Sequence, residues 1–243
     1  MSGLPLLAGF GFLIGACAGS FVATSALRST AGLDAMSGRS RCDACAVQLS
    51  YFATLPIASF IARRGRCANC QARIALAHPV AEVAGGLVVA TTMLLAPAEI
   101  WIPSIVLGLL LVYLATYDGA ILRLPDWATL AVGAGGLFVS AWRGELISST
   151  LTATLTLASL TLAVRGLELV RRHQVFGGGD VKLLTALGFW AGPTLMPIGL
   201  VLAACAALAW MASRGRLQSG DRLAFGPFIA AAFWPIVLGR LSA

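Results

Sequence analysis

The chain has 243 residues, of which 58% are hydrophobic and only 11% are charged, and its mean hydropathy is +0.87. These values exclude a soluble globular domain of this length, in which about 25% of the residues would be charged. The formal net charge of +7 does not indicate nucleic-acid binding, because the arginines are scattered over polar loops and form no basic groove interleaved with aromatic residues. The composition therefore predicts an integral membrane protein.

Apolar windows long enough to cross a bilayer recur along the chain. They predict an all-α polytopic fold with eight transmembrane helices, at residues 4–27, 79–97, 102–118, 125–141, 146–165, 181–193, 194–212 and 223–241. The one long polar stretch separates the first two windows. We therefore expect a first transmembrane helix at 1–27, a small extramembrane domain at 28–78 and a membrane core at 79–243.

Lysine and arginine positions predict the orientation, because positive residues of short loops stay on the cytoplasmic side. If the 28–78 domain is cytoplasmic, 15 of the 17 basic residues fall on its side of the membrane, and only Arg143 and Arg240 fall on the other. Both termini of an eight-helix chain then lie outside the cytoplasm.

The polar domain contains two Cys-x-x-Cys pairs, Cys42/Cys45 and Cys67/Cys70, separated by 21 residues. A two-residue spacer lets both thiolates of a pair face one ion, so the two pairs predict a closed, structural tetrathiolate zinc site. The reducing cytoplasm favours metal binding over disulfides. Two redox-active dithiols, or four ordinary buried cysteines, are the alternatives.

Two acidic residues adjoin apolar helices at the predicted cytoplasmic rim. Asp118 ends the apolar run 105–117, and Asp180 follows the triple glycine 177–179 at the start of the sixth window. A carboxylate near hydrocarbon costs about 2.5 to 3.5 kcal/mol, so such residues usually mark functional sites. The alternative for Asp180 is an N-cap. Asp126, which follows Pro125 in the first turn of a helix, is interpreted as structural or as a residue that supports the two acids.

If Asp118 and Asp180 meet in the folded bundle, their chemistry is that of an aspartyl protease. Neighbouring carboxyls share a proton, so that one can activate water while the other protonates the leaving group. The glycines before Asp180 would let an extended peptide backbone approach the carboxyls closely.

Several motifs resemble those of the type IV prepilin peptidases, a family of intramembrane aspartyl proteases with a GxGD motif. Residues 177–180 contain that motif, and residues 118–126 resemble the region of the family's first catalytic aspartate. The remaining similarities are Gly-Ser-Phe at 19–21, the two cysteine pairs with Gly-Arg-Cys at 65–67, His-Pro-Val-Ala-Glu at 78–82, and Phe-Gly-Pro-Phe at 225–228.

The resemblance implies an enzyme of the bacterial inner membrane with Asp118 and Asp180 as its catalytic pair. Its substrates would be type IV prepilins or pseudopilins, cut after a short basic leader at the cytoplasmic face, with membrane lipid as its surroundings. The resemblance further implies N-methylation of the new amino terminus with S-adenosylmethionine, for which Gly65 and Glu82 are the candidate cofactor-binding residues.

Two other classes of protein remain open. A proton- or ion-coupled transporter would use its intramembrane acids as a relay and the zinc domain as a regulatory cap, and is expected to show an inverted repeat. A non-enzymatic protein of secretion assembly would need the cysteine pairs for docking but not Asp118 or Asp180.

Overall fold

The computed structural model describes residues 4–34, 38–171, 177–215 and 223–242, and these residues are predominantly helical. The helices are α1 (Leu4–Thr30), α2 (Ala58–Ala62), α3 (Ala77–Leu95), α4 (Trp101–Ile121), α5 (Asp126–Trp142), α6 (Leu146–Arg171), α7 (Gly178–Ser213) and α8 (Gly226–Ser242), with short 3-10 helices at Tyr51–Thr54 and Ala98–Ile100. Within the described ranges, β-structure is limited to two isolated bridges. The predicted all-α class is confirmed.

In the part of the chain that the structure describes, five helical segments are long and apolar enough to cross a membrane: Leu4–Thr30, Ala77–Leu95, Ala98–Ile121, Leu146–Val170 and Gly178–Ser213. They make the chain a multi-pass membrane protein. The predicted windows 181–193 and 194–212 both fall inside α7, and Gly226–Ser242 is a shorter apolar helix. The count of eight spans therefore stays a prediction.

The chain divides into two compact units, Met1–Trp101 and Ile102–Ala243. The N-terminal unit contains α1, the polar segment with the cysteines, and α3. The C-terminal unit contains nearly all of α4 together with α5 to α8. The structure thus groups α3 with α1, whereas the predicted division at residue 78 assigns it to the membrane core.

Glycines bring α1 and α3 into close contact in the N-terminal unit. A Cβ added to Gly15 would lie 2.2 Å from the carbonyl oxygen of Gly85, and one added to Gly19 would lie 2.2 Å from that of Ala81. Small residues allow two membrane helices to approach this closely, so that van der Waals packing can hold them together.

Helix α7 is central to the C-terminal unit, where it packs against α5, α6 and α8. It is interrupted at Gly192, whose φ of 70° and ψ of 177° are non-helical, immediately before Pro193. Glycine tolerates this positive φ, and proline cannot donate the next helical hydrogen bond.

Contacts with α8 show that the chain reverses direction at this break. The first half of α7 begins near the start of α8, since Asp180 interacts with Asp118, which accepts a hydrogen bond from Gly226. It ends at Trp190, whose carbonyl accepts a hydrogen bond from Arg240 near the end of α8. The second half returns to the start of α8, where the Trp210 ring lies 6.1 Å from that of Phe228. Gly199 contacts Phe233 between them. The two halves of α7 therefore correspond to the two separate windows expected at 181–193 and 194–212.

An ionic cluster joins the break in α7 to the start of α6 and the end of α8. The Arg240 guanidinium pairs with Glu145, whose other carboxylate oxygen lies 3.5 Å from Nε of Arg143. Arg143 and Arg240 are the two basic residues that the predicted topology places on the opposite side of the membrane from all the others, and the fold brings them together.

Candidate active site and metal centre

The Asp118 carboxyl lies in the last turn of α4 and is only 5% exposed. Its Oδ2 accepts a hydrogen bond of 2.8 Å from the backbone N–H of Gly226, the first residue of α8. The start of α8 thus fixes the orientation of this carboxyl. In the sequence, Gly226 is notable only as part of the Phe-Gly-Pro-Phe motif at 225–228. No local pattern indicates its contact with a residue 108 positions away.

Asp180 is the third residue of α7 and is partly buried. The alternative that it caps the helix does not hold, because α7 begins at Gly178 and Gly177 occupies the N-cap position. Asp118 exerts an electrostatic effect on Asp180, so the fold brings the two carboxyl groups into the same neighbourhood.

Further contacts bring the end of α4 and the starts of α5 and α7 together near these acids. Lys182 donates to Oδ1 of Asp126 at 2.7 Å, which joins the first turns of α7 and α5. A Cβ on Gly179 would lie 3.1 Å from Cβ of Leu124, in the loop that follows α4. Asp126 is thus an ion-pair partner beside the acidic site, and Lys182 is a neighbour that sequence reasoning missed.

The four cysteines of the two Cys-x-x-Cys pairs converge on one point. The Sγ atoms of Cys42, Cys45, Cys67 and Cys70 all lie within 4.8 Å of one another, and those of Cys42 and Cys70 are 3.8 Å apart. Tetrahedral zinc with Zn–S bonds of about 2.3 Å requires sulfur atoms about 3.8 Å apart. The cluster therefore fits a single four-coordinate ion.

Both cysteine pairs have the same backbone geometry. The residue after each second cysteine, Ala46 or Gln71, has a positive φ, of 55° or 57°, and its N–H donates to the carbonyl of the first cysteine. N–H groups of Cys70 and Asn69 directed at the sulfur of Cys67 lower the pKa of that thiol to about 6. A thiol that ionises this readily is available as a thiolate ligand near neutral pH.

A cavity of about 750 Å³ lies within the N-terminal unit, between the cysteine segment and the ends of α1 and α3. Its charged lining consists of the arginines at 28, 41, 63, 66 and 73 and of Asp43 and Glu82. This volume is in the range of small-molecule sites.

Glu82 lies in the wall of this cavity and is 8% exposed. Its two carboxylate oxygens accept hydrogen bonds of 2.7 Å from Oγ of Ser20 and from the backbone N–H of Ile57. Two acceptor positions of the carboxylate remain for a ligand. Ser20, the middle residue of the Gly-Ser-Phe motif at 19–21, therefore supports Glu82, a contact that the motif alone did not indicate.

Gly65, the other predicted cofactor-binding residue, is buried at a φ of +68° and does not line the cavity. A Cβ at this position would lie 3.0 Å from Cζ of Phe60, whose ring does line it. Gly65 thus lies behind Phe60, which forms part of the cavity wall.

The fold and sites define a class: a multi-pass helical membrane protein with two acids at helix ends and a four-cysteine centre in a separate unit. Family comparison gives two consecutive matches, to the Bacterial Peptidase A24 N-terminal domain over residues 13–96 and to the Type IV leader peptidase family over residues 97–212. The chain belongs to the type IV leader peptidase family. No solved structure matches it.

Similar proteins are named "Prepilin leader peptidase/N-methyltransferase". The protein from Burkholderia pseudomallei strain 1026b is 33% identical over 79% of this chain, and the alignment spans 64% of that relative's length. The protein from Aeromonas hydrophila is 34% identical over 82% of this chain and 71% of its own length, and that from Neisseria gonorrhoeae is 30% identical over 80% and 69%.

Proposed function

We propose that the chain is a membrane-embedded aspartyl endopeptidase of the bacterial inner membrane that removes the short basic leader of type IV prepilins or pseudopilins at the cytoplasmic face. Asp118 and Asp180 are its catalytic pair. The observation that carries this proposal is the proximity of two acids, from the end of α4 and the start of α7, one of which is held by the first residue of α8. The names of the relatives supply the substrate class.

In peptide hydrolysis at this site, one carboxyl is the general base and the other is the general acid. The ionised carboxyl removes a proton from water, whose oxygen attacks the scissile carbonyl carbon, and the protonated carboxyl donates its proton to the departing amine as the C–N bond breaks. The Gly226 N–H orients Asp118 for this exchange.

Glycines beside Asp180 leave room for the substrate backbone. Gly177 and Gly178 are exposed, and a Cβ at Gly178 would meet nothing within 4 Å. An extended peptide can therefore pass close to the carboxyls without meeting a side chain at these two positions.

Co-expression with a prepilin tests the peptidase, with intact-mass and N-terminal analysis of the product. The wild type is expected to yield a shortened pilin, whereas Asp118→Asn and Asp180→Asn should each reduce cleavage by about three orders of magnitude or more, as the loss of a catalytic side chain does in other proteases. Asp126→Asn is the matched control and should still cleave. Retained cleavage in both Asp118→Asn and Asp180→Asn, with normal membrane insertion, would contradict the proposal.

We propose further that the N-terminal unit methylates the new amino terminus and that S-adenosylmethionine occupies its cavity. The residues fit this cofactor: Glu82 offers a buried carboxylate for its ammonium or hydroxyl groups, and the lining arginines offer partners for its carboxylate. When bound, the cofactor supplies an electrophilic methyl group. Glu82, Ser20 and Phe60 determine how the chain holds it.

Replacing Glu82 by Gln tests this second activity, because the change keeps the shape and removes the charge. The co-expressed pilin is expected to be shortened but to lack the added methyl group, with S-adenosylmethionine binding weakened in a direct titration of the purified protein. Thr91→Val is a control on the same helix, since the Thr91 hydroxyl bonds only to carbonyls of its own helix. Normal methylation by Glu82→Gln would contradict the role of this carboxylate.

We also propose that the four cysteines of the two pairs form a structural zinc site. A closed set of four thiolates leaves no open position for a substrate, so its contribution is to hold the polar segment in its fold. Zinc at one equivalent per chain, lost in Cys42→Ser, is the expected result of metal analysis.

A further inference from the structure

The segment between the two cysteine pairs carries large apolar side chains on its surface. Tyr51, Phe52, Leu55 and Ile61 are 77%, 80%, 50% and 68% exposed. They lie in the 3-10 helix Tyr51–Thr54, directly after it at Leu55, and in the short helix α2. Residues 51–61 are here called the apolar segment. In a polar domain surrounded by water, a concentration of such residues marks an interaction surface.

A backbone hydrogen bond fixes the depth of this segment relative to the membrane helices. The Ile57 N–H donates to Glu82, which also accepts from Ser20, so these three residues lie at one level. A hydrocarbon core about 30 Å thick is crossed by about 20 helical residues. A crossing of about 20 residues that begins at Leu4, the first residue of α1, extends past Ser20. Glu82 likewise lies inside α3, which begins at Ala77. Ile57 is therefore held at the edge of the hydrocarbon.

Basic residues adjoin the apolar ones. The Arg39 guanidinium lies 4.5 Å from the centre of the Tyr51 ring, and Arg63 and Arg64 directly follow α2. Aromatic and aliphatic side chains next to arginines are typical of segments that lie in the headgroup layer, where the rings meet the acyl boundary and the cations meet phosphates.

We propose that the apolar segment is a membrane-surface anchor that rests in the headgroup layer of the bilayer crossed by α1 and α3. Its ligand is the phospholipid surface itself, with anionic headgroups favoured by Arg64, which is exposed and does not line the cavity. The same segment supplies Ala53, Thr54, Ser59 and Phe60 to the wall of the 750 Å³ cavity. Contact with lipid therefore supports one wall of that cavity, and the shape of the cavity depends on the lipid surface.

Photochemical labelling of the full-length protein tests the anchor. Phe52 is replaced by the photoreactive amino acid benzoylphenylalanine, and the protein is placed in nanodiscs of phosphatidylcholine with phosphatidylglycerol. Intact mass after irradiation is expected to show lipid adducts in several-fold higher yield than at Ala68, an exposed residue between the second pair of cysteines. Leu55 is a second labelling position in case the first variant fails to retain zinc.

Two results would overturn the anchor: equal lipid labelling at positions 52, 55 and 68, or adducts at 52 and 55 that contain only a second protein chain. The lipid composition provides a separate arm. A higher adduct yield with phosphatidylglycerol than in phosphatidylcholine alone supports the part assigned to Arg64. Equal yields in the wild-type background and in Arg64→Gln would refute that part.

Discussion

Gly226 has a direct influence on the environment of Asp118. Its N–H donates to Asp118 Oδ2, and an added Cβ would lie 3.0 Å from both Cβ and Oδ2 of that residue. The backbone N–H of Gly226 and the absence of a side chain there therefore both determine the position of the Asp118 carboxyl. Gly226 is a positioning residue, because it acts through Asp118.

Substituting Gly226 by Ala is expected to lower kcat by about tenfold to a hundredfold while KM changes little, since small displacements of a catalytic group have effects of this size. The measurement is steady-state cleavage of a prepilin by purified protein. Gly239→Ala, on the same helix, is the matched control, because a Cβ there would meet nothing within 4 Å. An equal kcat for the two variants would show that the carboxyl tolerates the methyl group.

Residues in the two Cys-x-x-Cys pairs could be identified from spacing because the motif itself is local. Two positions separated by two residues face the same ion whatever the rest of the chain does. By contrast, Ser20 lies 62 residues from Glu82, and Lys182 lies 56 residues from Asp126. Such partners follow from helix packing, and no nearby sequence pattern marks them.

At the scale of elements, the contact between α1 and α3 depends on glycine in a way that composition does not show. Replacing Gly15 by Val is expected to lower the free energy of unfolding of the N-terminal unit by about 1–3 kcal/mol or more, because the new side chain would meet the backbone of Gly85. Thermal unfolding in detergent, with zinc retention as a second readout, measures the effect. Gly9→Val, where a Cβ meets nothing within 4 Å, should leave both unchanged. Equal stability of the two variants would show that α1 and α3 can separate without cost.

Helix α7 shows how short a turn between two apolar helical segments can be. Gly192 and Pro193 suffice to end one half and begin the other, and Arg240 bonds to the carbonyl of Trp190 at the break. Hydropathy predicts two windows here, at 181–193 and 194–212. The reversal itself became evident only from the contacts with α8.

At the scale of the whole molecule, the two proposed activities reside in different compact units. The zinc site and Glu82 belong to Met1–Trp101, and Asp118 and Asp180 belong to Ile102–Ala243. Damage to one site is therefore expected to spare the chemistry of the other.

Removal of zinc tests this separation. Treatment of the purified protein with a strong chelator is expected to abolish methyl transfer, because the polar segment loses its central cross-link. Prepilin cleavage should retain most of its rate under the same conditions. Re-addition of zinc should restore methylation, and parallel loss of both activities would contradict independent units.

The sequence by itself determined the membrane class, the all-helical fold, the cysteine pairs and the positions of the acids. These conclusions depend on hydropathy, on local spacing and on the high cost of a carboxylate near hydrocarbon, all of which operate within one segment of chain. The tertiary structure decided the close packing of α1 on α3, the contact of Gly226 with Asp118, the convergence of the four thiols and the hydrogen bond from Ile57 to Glu82. Each of these depends on which helix faces meet, and that choice results from packing among residues far apart in the chain.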